Sequence, residues 1–405
     1  MKKFQPAIWI KICLLNFLVV AAIGVVMRYK IGFEFPYFDQ KNLQHAHSHF
    51  AFGGWVSLLL MALIIHSVRK LLSELYIASF NRMLIAQLIC SYGMLFSFGA
   101  QGYAATSIAF SSISILISFI FCLQFYKTLA PIDNLKSKKW LNAALLFNVV
   151  SSLGTFYLSY MMATKNIGQH SYLAAVYWYL HFQYNGWFFF ACMGLFINYL
   201  QVKNIPFFHE KTAFRLLFYS CIPAYGLSVL WIHLPVWIYV LIAIAAIAQF
   251  AGWILILNNT LKEHVFSTDK ISSFIKLMAI YIGVAFTIKI SLQLFSTIPA
   301  VNKLAFGFRP VVIAYLHLAL LACTSMFLLF YIHIKQIVVF NKTAIKGIKI
   351  LLFGVLLNEL ILAIQGISSF SYTVIPHLNE MLFIASGVIF IGLLMMLLST
   401  SKNSI

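Results

Sequence analysis

The chain has 405 residues, of which 62% are hydrophobic, 17% aromatic and only 9% charged. Its mean hydropathy is +0.92. Soluble domains carry about 25% charged residues, so composition excludes a soluble enzyme, a disordered scaffold and a nucleic-acid binder. The formal charge of +19 does not restore the last of these, because the basic residues are scattered between long apolar runs. That scatter is the membrane pattern.

A helix needs about 20 apolar residues to cross the hydrocarbon core. Twelve runs qualify in chain order: 7–28, 43–67, 83–101, 103–126, 140–163, 172–201, 213–233, 235–257, 273–296, 310–334, 347–368 and 380–399. They must be helices, since the bilayer offers the backbone no water. The boundary at Ala100-Gln101-Gly102 is soft. The first run is too long for a cleaved signal peptide, and Lys11 interrupts it. With the N-terminus inside, the inner segments hold 19 Lys and Arg and the outer segments 6. This split predicts an even number of spans with both termini cytoplasmic. The loops are short, so residues 1–405 are expected to form a single integral membrane domain, an all-α polytopic helix bundle in contact with the lipid bilayer. The six cysteines lie inside apolar stretches without a CxxC pair, and read as packing residues.

Ionisable groups inside a membrane are costly and usually functional. The second run opens on Gln44-His45-Ala46-His47-Ser48-His49-Phe50, followed by Gly53-Gly54-Trp55. The sixth contains His181-Phe182-Gln183-Tyr184-Asn185-Gly186-Trp187. The tenth contains Tyr315-Leu316-His317. At 1.5 Å rise per residue, His181 and His317 lie roughly 12–14 Å from the outer ends of their helices, and His49 roughly 9 Å. The steps from His47 to His181 and from His181 to His317 are 134 and 136 residues. Each is close to one third of the chain, and each site falls on the second helix of a four-helix block. This suggests three quasi-equivalent four-helix arcs, each giving imidazole to a shared interior. Imidazole is the commonest metal ligand and a frequent axial ligand of haem. His45 and His49 are i and i+4 and share a face, from which His47 points away. For any one of these histidines, a simple hydrogen bond to a carbonyl is the competing reading.

These residues resemble the haem–copper oxidase superfamily, catalytic subunit I, including its nitric oxide reductase branch. That family has twelve core spans, inside termini and three four-helix arcs. The topology covers the whole chain, while the motif likeness is confined to short stretches. The resemblance implies an oxidoreductase of the terminal oxidase or nitric oxide reductase type in a bacterial inner membrane. It implies b-type haem, copper or non-haem iron, accessory subunits, and quinol or cytochrome c as electron donor. Carried over by position, His317 is a ligand of a low-spin haem, with its partner from His45, His47 or His49 and the His45/His49 face preferred. His181 is a ligand of the non-haem metal, and His233 is the seventh-span candidate. The chain departs from the pattern at Tyr315, where the family has the histidine of its high-spin haem. It departs again at Asn185, where the oxidases place a tyrosine; Tyr184 is adjacent. The seventh span offers only His233. The resemblance therefore implies a divergent member, with a bis-histidine haem and an incomplete or altered binuclear site.

Lys289 and Glu359 sit deep in the ninth and eleventh runs, and with Tyr184 and Asn185 they are the candidates for catalytic or proton-relay roles. Two other functions fit the same residues. One is a transporter or metal-handling permease whose path the histidines, Lys289 and Glu359 would line. The other is a non-catalytic sensor or assembly protein that holds haem without turnover.

Overall fold

The computed structural model describes residues 4–166, 168–266, 272–302 and 308–400. These are helical throughout, apart from connections and one isolated β-bridge between Phe340 and Thr400. In chain order, α1 is Pro6–Gly32, α2 Gln40–Leu71, α3 Glu74–Gln101, α4 Ala105–Leu129 and α5 Lys138–Thr164. Next, α6 is continuous over 169–202 and α7 is Glu210–Cys221. The last five are α8 Val236–Lys262, α9 Ser273–Phe295, α10 Arg309–Ile334, α11 Lys342–Phe370 and α12 Leu378–Leu398.

Among the described residues, ten of these helices are long and apolar enough to cross a membrane. The chain is thus an all-helical protein that fits an integral membrane role. The two outside that set, α6 and α7, differ for physical reasons. From His181 to Leu200 every residue of α6 is buried, so its Gln, Asn, Tyr and His side chains find partners in the protein and lower its hydropathy. The expected seventh run, 213–233, is not one α-helix. It stops at Cys221 and continues as a 3-10 turn over Pro223–Ser228, because Pro223 lacks the N–H that α-helical continuation needs.

Some helix starts carry side-chain caps. Asp39 Oδ1 accepts the Asn42 N–H at 2.8 Å before α2, and Asn341 Oδ1 accepts the Ala344 N–H at 2.8 Å before α11. The α3–α4 boundary falls at Gly102, whose φ of 63° suits glycine.

The contacts divide the chain into two compact units, Met1–Ile132 with Tyr331–Ile405, and Asp133–Phe330. In the first, α11 and α12 meet backbone to backbone. A Cβ added at Gly392 would lie 2.6 Å from the Leu351 nitrogen and 2.9 Å from the Gly347 carbonyl. In the second, α6 packs on α5, and α8 packs on α7 and α9.

Three helices leave α-geometry for a π segment. These are Ala51–Ser57 in α2, Phe182–Phe188 in α6 and Leu318–Ser325 in α10. They begin two residues after His49 and one residue after His181 and His317. In the first unit, buried Asn16 of α1 supports the π turn. Its Nδ2 donates to the Gly54 carbonyl at 2.7 Å, and its Oδ1 accepts the Tyr92 hydroxyl at 2.9 Å. Trp55 then stacks on Phe17 with ring centroids 4.3 Å apart. In the last π segment, the Thr324 and Ser325 hydroxyls donate to the carbonyls of Ala319 and Leu320, five residues back, both at 2.8 Å.

Candidate functional site

In the second unit the polar core centres on the π segment of α6. His181 is fully buried. One ring nitrogen, Nε2, lies 2.8 Å from the Cys221 carbonyl. A carbonyl only accepts, so Nε2 carries the proton. The other, Nδ1, then accepts from Asn185 Nδ2 at 3.1 Å. Lys289 of α9, 4% exposed, donates from Nζ to Asn185 Oδ1. The bonds run in one direction, from ammonium to amide to imidazole to carbonyl. Local folding makes each link possible. α7 ends at Cys221 just before Pro223, which frees that carbonyl for His181, and the Cys221 thiol in turn donates to the Asn185 carbonyl at 3.8 Å. Lys289 Nζ also lies 5.8 Å from the centre of the Tyr184 ring and 6.0 Å from that of Phe189. Aromatic faces stabilise a cation at this range.

This arrangement bears directly on the non-haem metal that the resemblance implies. With Nε2 donating and Nδ1 accepting, His181 has no lone pair to give. A metal cation would also meet the Lys289 ammonium one amide away. His233 lies exposed in the segment before α8, whereas His181 is fully buried. Among the described residues there is no group of three or more His, Cys, Asp or Glu that could hold a metal ion. The residues around His181 do not fit a copper or non-haem iron centre.

Tyr315 and His317 stand on α10. Tyr315 meets Tyr184 edge to face, with ring centroids 5.8 Å apart. His317 is half-buried and has a different environment from His181. Its Nδ1 donates to the Ile313 carbonyl at 2.9 Å. The proton on Nδ1 leaves the lone pair on Nε2, the tautomer of a histidine that ligates a metal with its second-shell bond already made.

In the first unit, His45 and His49 share one face, as their spacing requires. His49 stacks on Phe98 at 4.1 Å, and its Nε2 lies 3.1 Å from the Tyr103 hydroxyl. The His45 ring sits edge-on to Tyr103 at 4.7 Å, and its Nε2 is buried without a hydrogen bond. His47 turns the other way, toward α1, where its Cε1 would be 3.5 Å from a Cβ placed on Gly24. A buried imidazole nitrogen without a partner fits a ligand to iron, so His45 satisfies this condition for haem.

Glu359 lies on α11 in the first unit, with its Oε1 accepting from Asn358 Nδ2 at 3.2 Å. Lys289 belongs to the second unit. Each of the two has its own amide partner.

Sequence reasoning did not find the roles of the Cys221 carbonyl, Tyr103 or Phe98. Pro223, two residues after Cys221, was the available signal for the first. No family model matches the chain, and no curated protein matches it.

Proposed function

We propose that this chain is a haem-binding redox protein of a bacterial inner membrane, a divergent relative of haem–copper oxidase subunit I that lacks the non-haem metal. Its candidate iron ligands, each taken within its own unit, are His317 in the second and an imidazole of the 45–49 segment in the first, with His45 preferred. The observation that carries this reading is the Nδ1–H bond from His317 to the Ile313 carbonyl, which holds the ring in the ligating tautomer. The unpartnered Nε2 of His45 and the π turns that follow the histidines support it, since π bulges recur at functional sites. Haem, when bound, supplies one-electron chemistry. The protein's part is to orient the imidazoles and exclude water. Both termini inside, and quinol or cytochrome c as electron donor, belong to the same proposal.

The test is a pyridine haemochrome assay and metal analysis of purified protein. The expected result is b-type haem without stoichiometric copper or non-haem iron. H317A and H45A each abolish or strongly shift the visible spectrum, while H181A and H47A keep it. A colourless protein overturns the reading, and substrate uptake in proteoliposomes would then favour a permease. A spectrum indifferent to both H317A and H45A also overturns it.

A further inference from the structure

One ionisable side chain takes no part in the histidine sites, yet stands inside the apolar stretch of a spanning helix. Glu359 belongs to α11, which is long and apolar enough to cross a membrane. At 1.5 Å per residue it lies about 16 Å from the Phe370 end of α11 and about 15 Å beyond Lys349, the last cation of the helix. The register with α12 fixes its depth independently. Gly354 packs against Ile389, so in this antiparallel pair Glu359 falls about level with Ile384, roughly 9 Å inside the start of α12. Hydrocarbon surrounds both helices at that depth. Every other acidic residue of the described chain stands at a helix end or in a connection, from Glu34 after α1 to Glu380 in the first turn of α12.

The face of the helix matters as much as the depth. Leu356, Leu360 and Ala363, neighbours of Glu359 on the helix surface, are exposed, whereas Val355 and Leu362 are buried. Glu359 itself is half-buried. Its carboxyl therefore sits at the seam between the lipid-facing stripe and the buried face. An ionised carboxylate there would need a cation. Neither α11 beyond Lys349 nor α12 contains Lys, Arg or His, and among the described residues Glu359 forms no ion pair. The titratable residue of α12, Glu380, is itself acidic and lies 3.5 Å from His377. The partner Glu359 does have is neutral. Asn358, 4% exposed, donates from Nδ2 to its Oε1 at 3.2 Å. A charge in hydrocarbon without a counter-charge is costly, while a neutral acid with an amide donor loses far less on leaving water.

We propose that Glu359 is a proton-binding site, a carboxyl that holds a proton inside the membrane and is reachable from the lipid. The ligand is the proton itself, carried on one oxygen while Asn358 holds the other. The site shares no residue with the haem reading and stands independently of it.

The experiment exposes the full chain, in phosphatidylcholine liposomes, to dicyclohexylcarbodiimide, which dissolves in hydrocarbon, or to a water-soluble carbodiimide. The reaction reads the acid form. The carboxylic proton passes to one carbodiimide nitrogen, the carboxyl oxygen bonds the central carbon, and the whole reagent is retained as an adduct. Peptide mass spectrometry quantifies that adduct at each acidic residue. The lipophilic reagent is expected to modify Glu359 about tenfold more than Asp133 or Glu380, because hydrocarbon favours the acid form. The water-soluble reagent is expected to reverse that order. Modification of Glu359 is expected to fall as the pH is raised, since rising pH removes the reacting proton. E359Q is expected to lose the adduct and to keep the unfolding midpoint of the parent chain, because the amide replaces a group that is already neutral. An unmodified Glu359 in the parent chain would mean that a counter-charge, such as a basic residue of a partner helix, holds it ionised, and would overturn the proposal. Equal modification of Glu359 by the two reagents would place the carboxyl in water and would also overturn it.

Discussion

Asn185 is the residue on which the buried polar core of the second unit turns. It accepts from the Lys289 ammonium and donates to His181 Nδ1. Asn185→Leu removes both bonds at nearly constant volume. The two losses differ in size. A neutral hydrogen bond inside a membrane protein contributes about 0.6 kcal/mol, so the imidazole bond is the minor part. The ammonium is the major part. Lys289 is 4% exposed, and removing the partner of a buried charge costs ~3–5 kcal/mol. The Tyr184 and Phe189 rings remain near Nζ and return about 0.5–2 kcal/mol of that. The expected net loss is therefore about 3 kcal/mol. Lys289→Met removes the charge instead of stranding it, and its expected cost is about 1 kcal/mol, the scale of a lost neutral hydrogen bond. The double variant N185L/K289M should then be more stable than N185L by about 2 kcal/mol, which in a double-mutant cycle is a coupling of about 3 kcal/mol. The assay is reversible unfolding of the purified protein in mixed micelles, followed by tryptophan fluorescence. If the double variant loses as much as or more than N185L, the ammonium is not what Asn185 stabilises, and the directional chain proposed here is wrong.

Two further perturbations probe the packing. Gly392→Leu drives a side chain into the Leu351 nitrogen and Gly347 carbonyl, and overpacking of this kind costs about 1–3 kcal/mol or more. A Cβ added at Gly387 on the same helix meets nothing within 4 Å, and Gly387→Leu is expected to change stability by less than about 0.5 kcal/mol. Both are read from the same unfolding curves, and equal effects would refute the close α11–α12 approach. Asn16→Leu strands the Gly54 carbonyl and the Tyr92 hydroxyl, and a loss of about 1–3 kcal/mol is expected. Faster amide exchange confined to Ala51–Ser57 would localise that loss to the π turn, and unchanged exchange there would argue against Asn16 as its support.

The helices were legible because their signal is collective. The expected 273–296 and 310–334 runs correspond to Ser273–Phe295 and Arg309–Ile334, since about twenty apolar residues admit one reading. The boundary near residue 101 was marked by Gly102. The seventh run failed because hydropathy averages over Pro223, while the backbone responds to that single missing N–H. The site was legible at a coarser level. Intramembrane histidines could be found, and the i, i+4 rule put His45 and His49 together. Sequence could not tell how each imidazole is hydrogen-bonded. His181 and His317 look alike as letters. They differ in their bonds: Nδ1 of His317 donates within its own helix, whereas Nε2 of His181 donates to a carbonyl released forty residues away in α7.

The π segments bear on why three helices share this plan. A π turn inserts one residue into an α-helix, which rotates everything after it by about 100° relative to an unbroken helix. A helix can then aim a histidine at one neighbour before the π turn and pack a full apolar face against another after it. In α2 the change falls between the 45–49 segment and the run Leu58–Ile65, which is buried at every position. In α6 it falls between His181 and Phe189–Leu200, also buried throughout. Such an insertion carries a cost in weakened hydrogen bonds, and here those bonds are supplemented by side chains, Asn16 on Gly54 and the Thr324 and Ser325 hydroxyls on their own helix. The segments start at 51, 182 and 318, steps of about one third of the chain, although no residue-level repeat links the three stretches. The same costly feature thus recurs just after each of the three histidine sites, at near-equal steps along the chain.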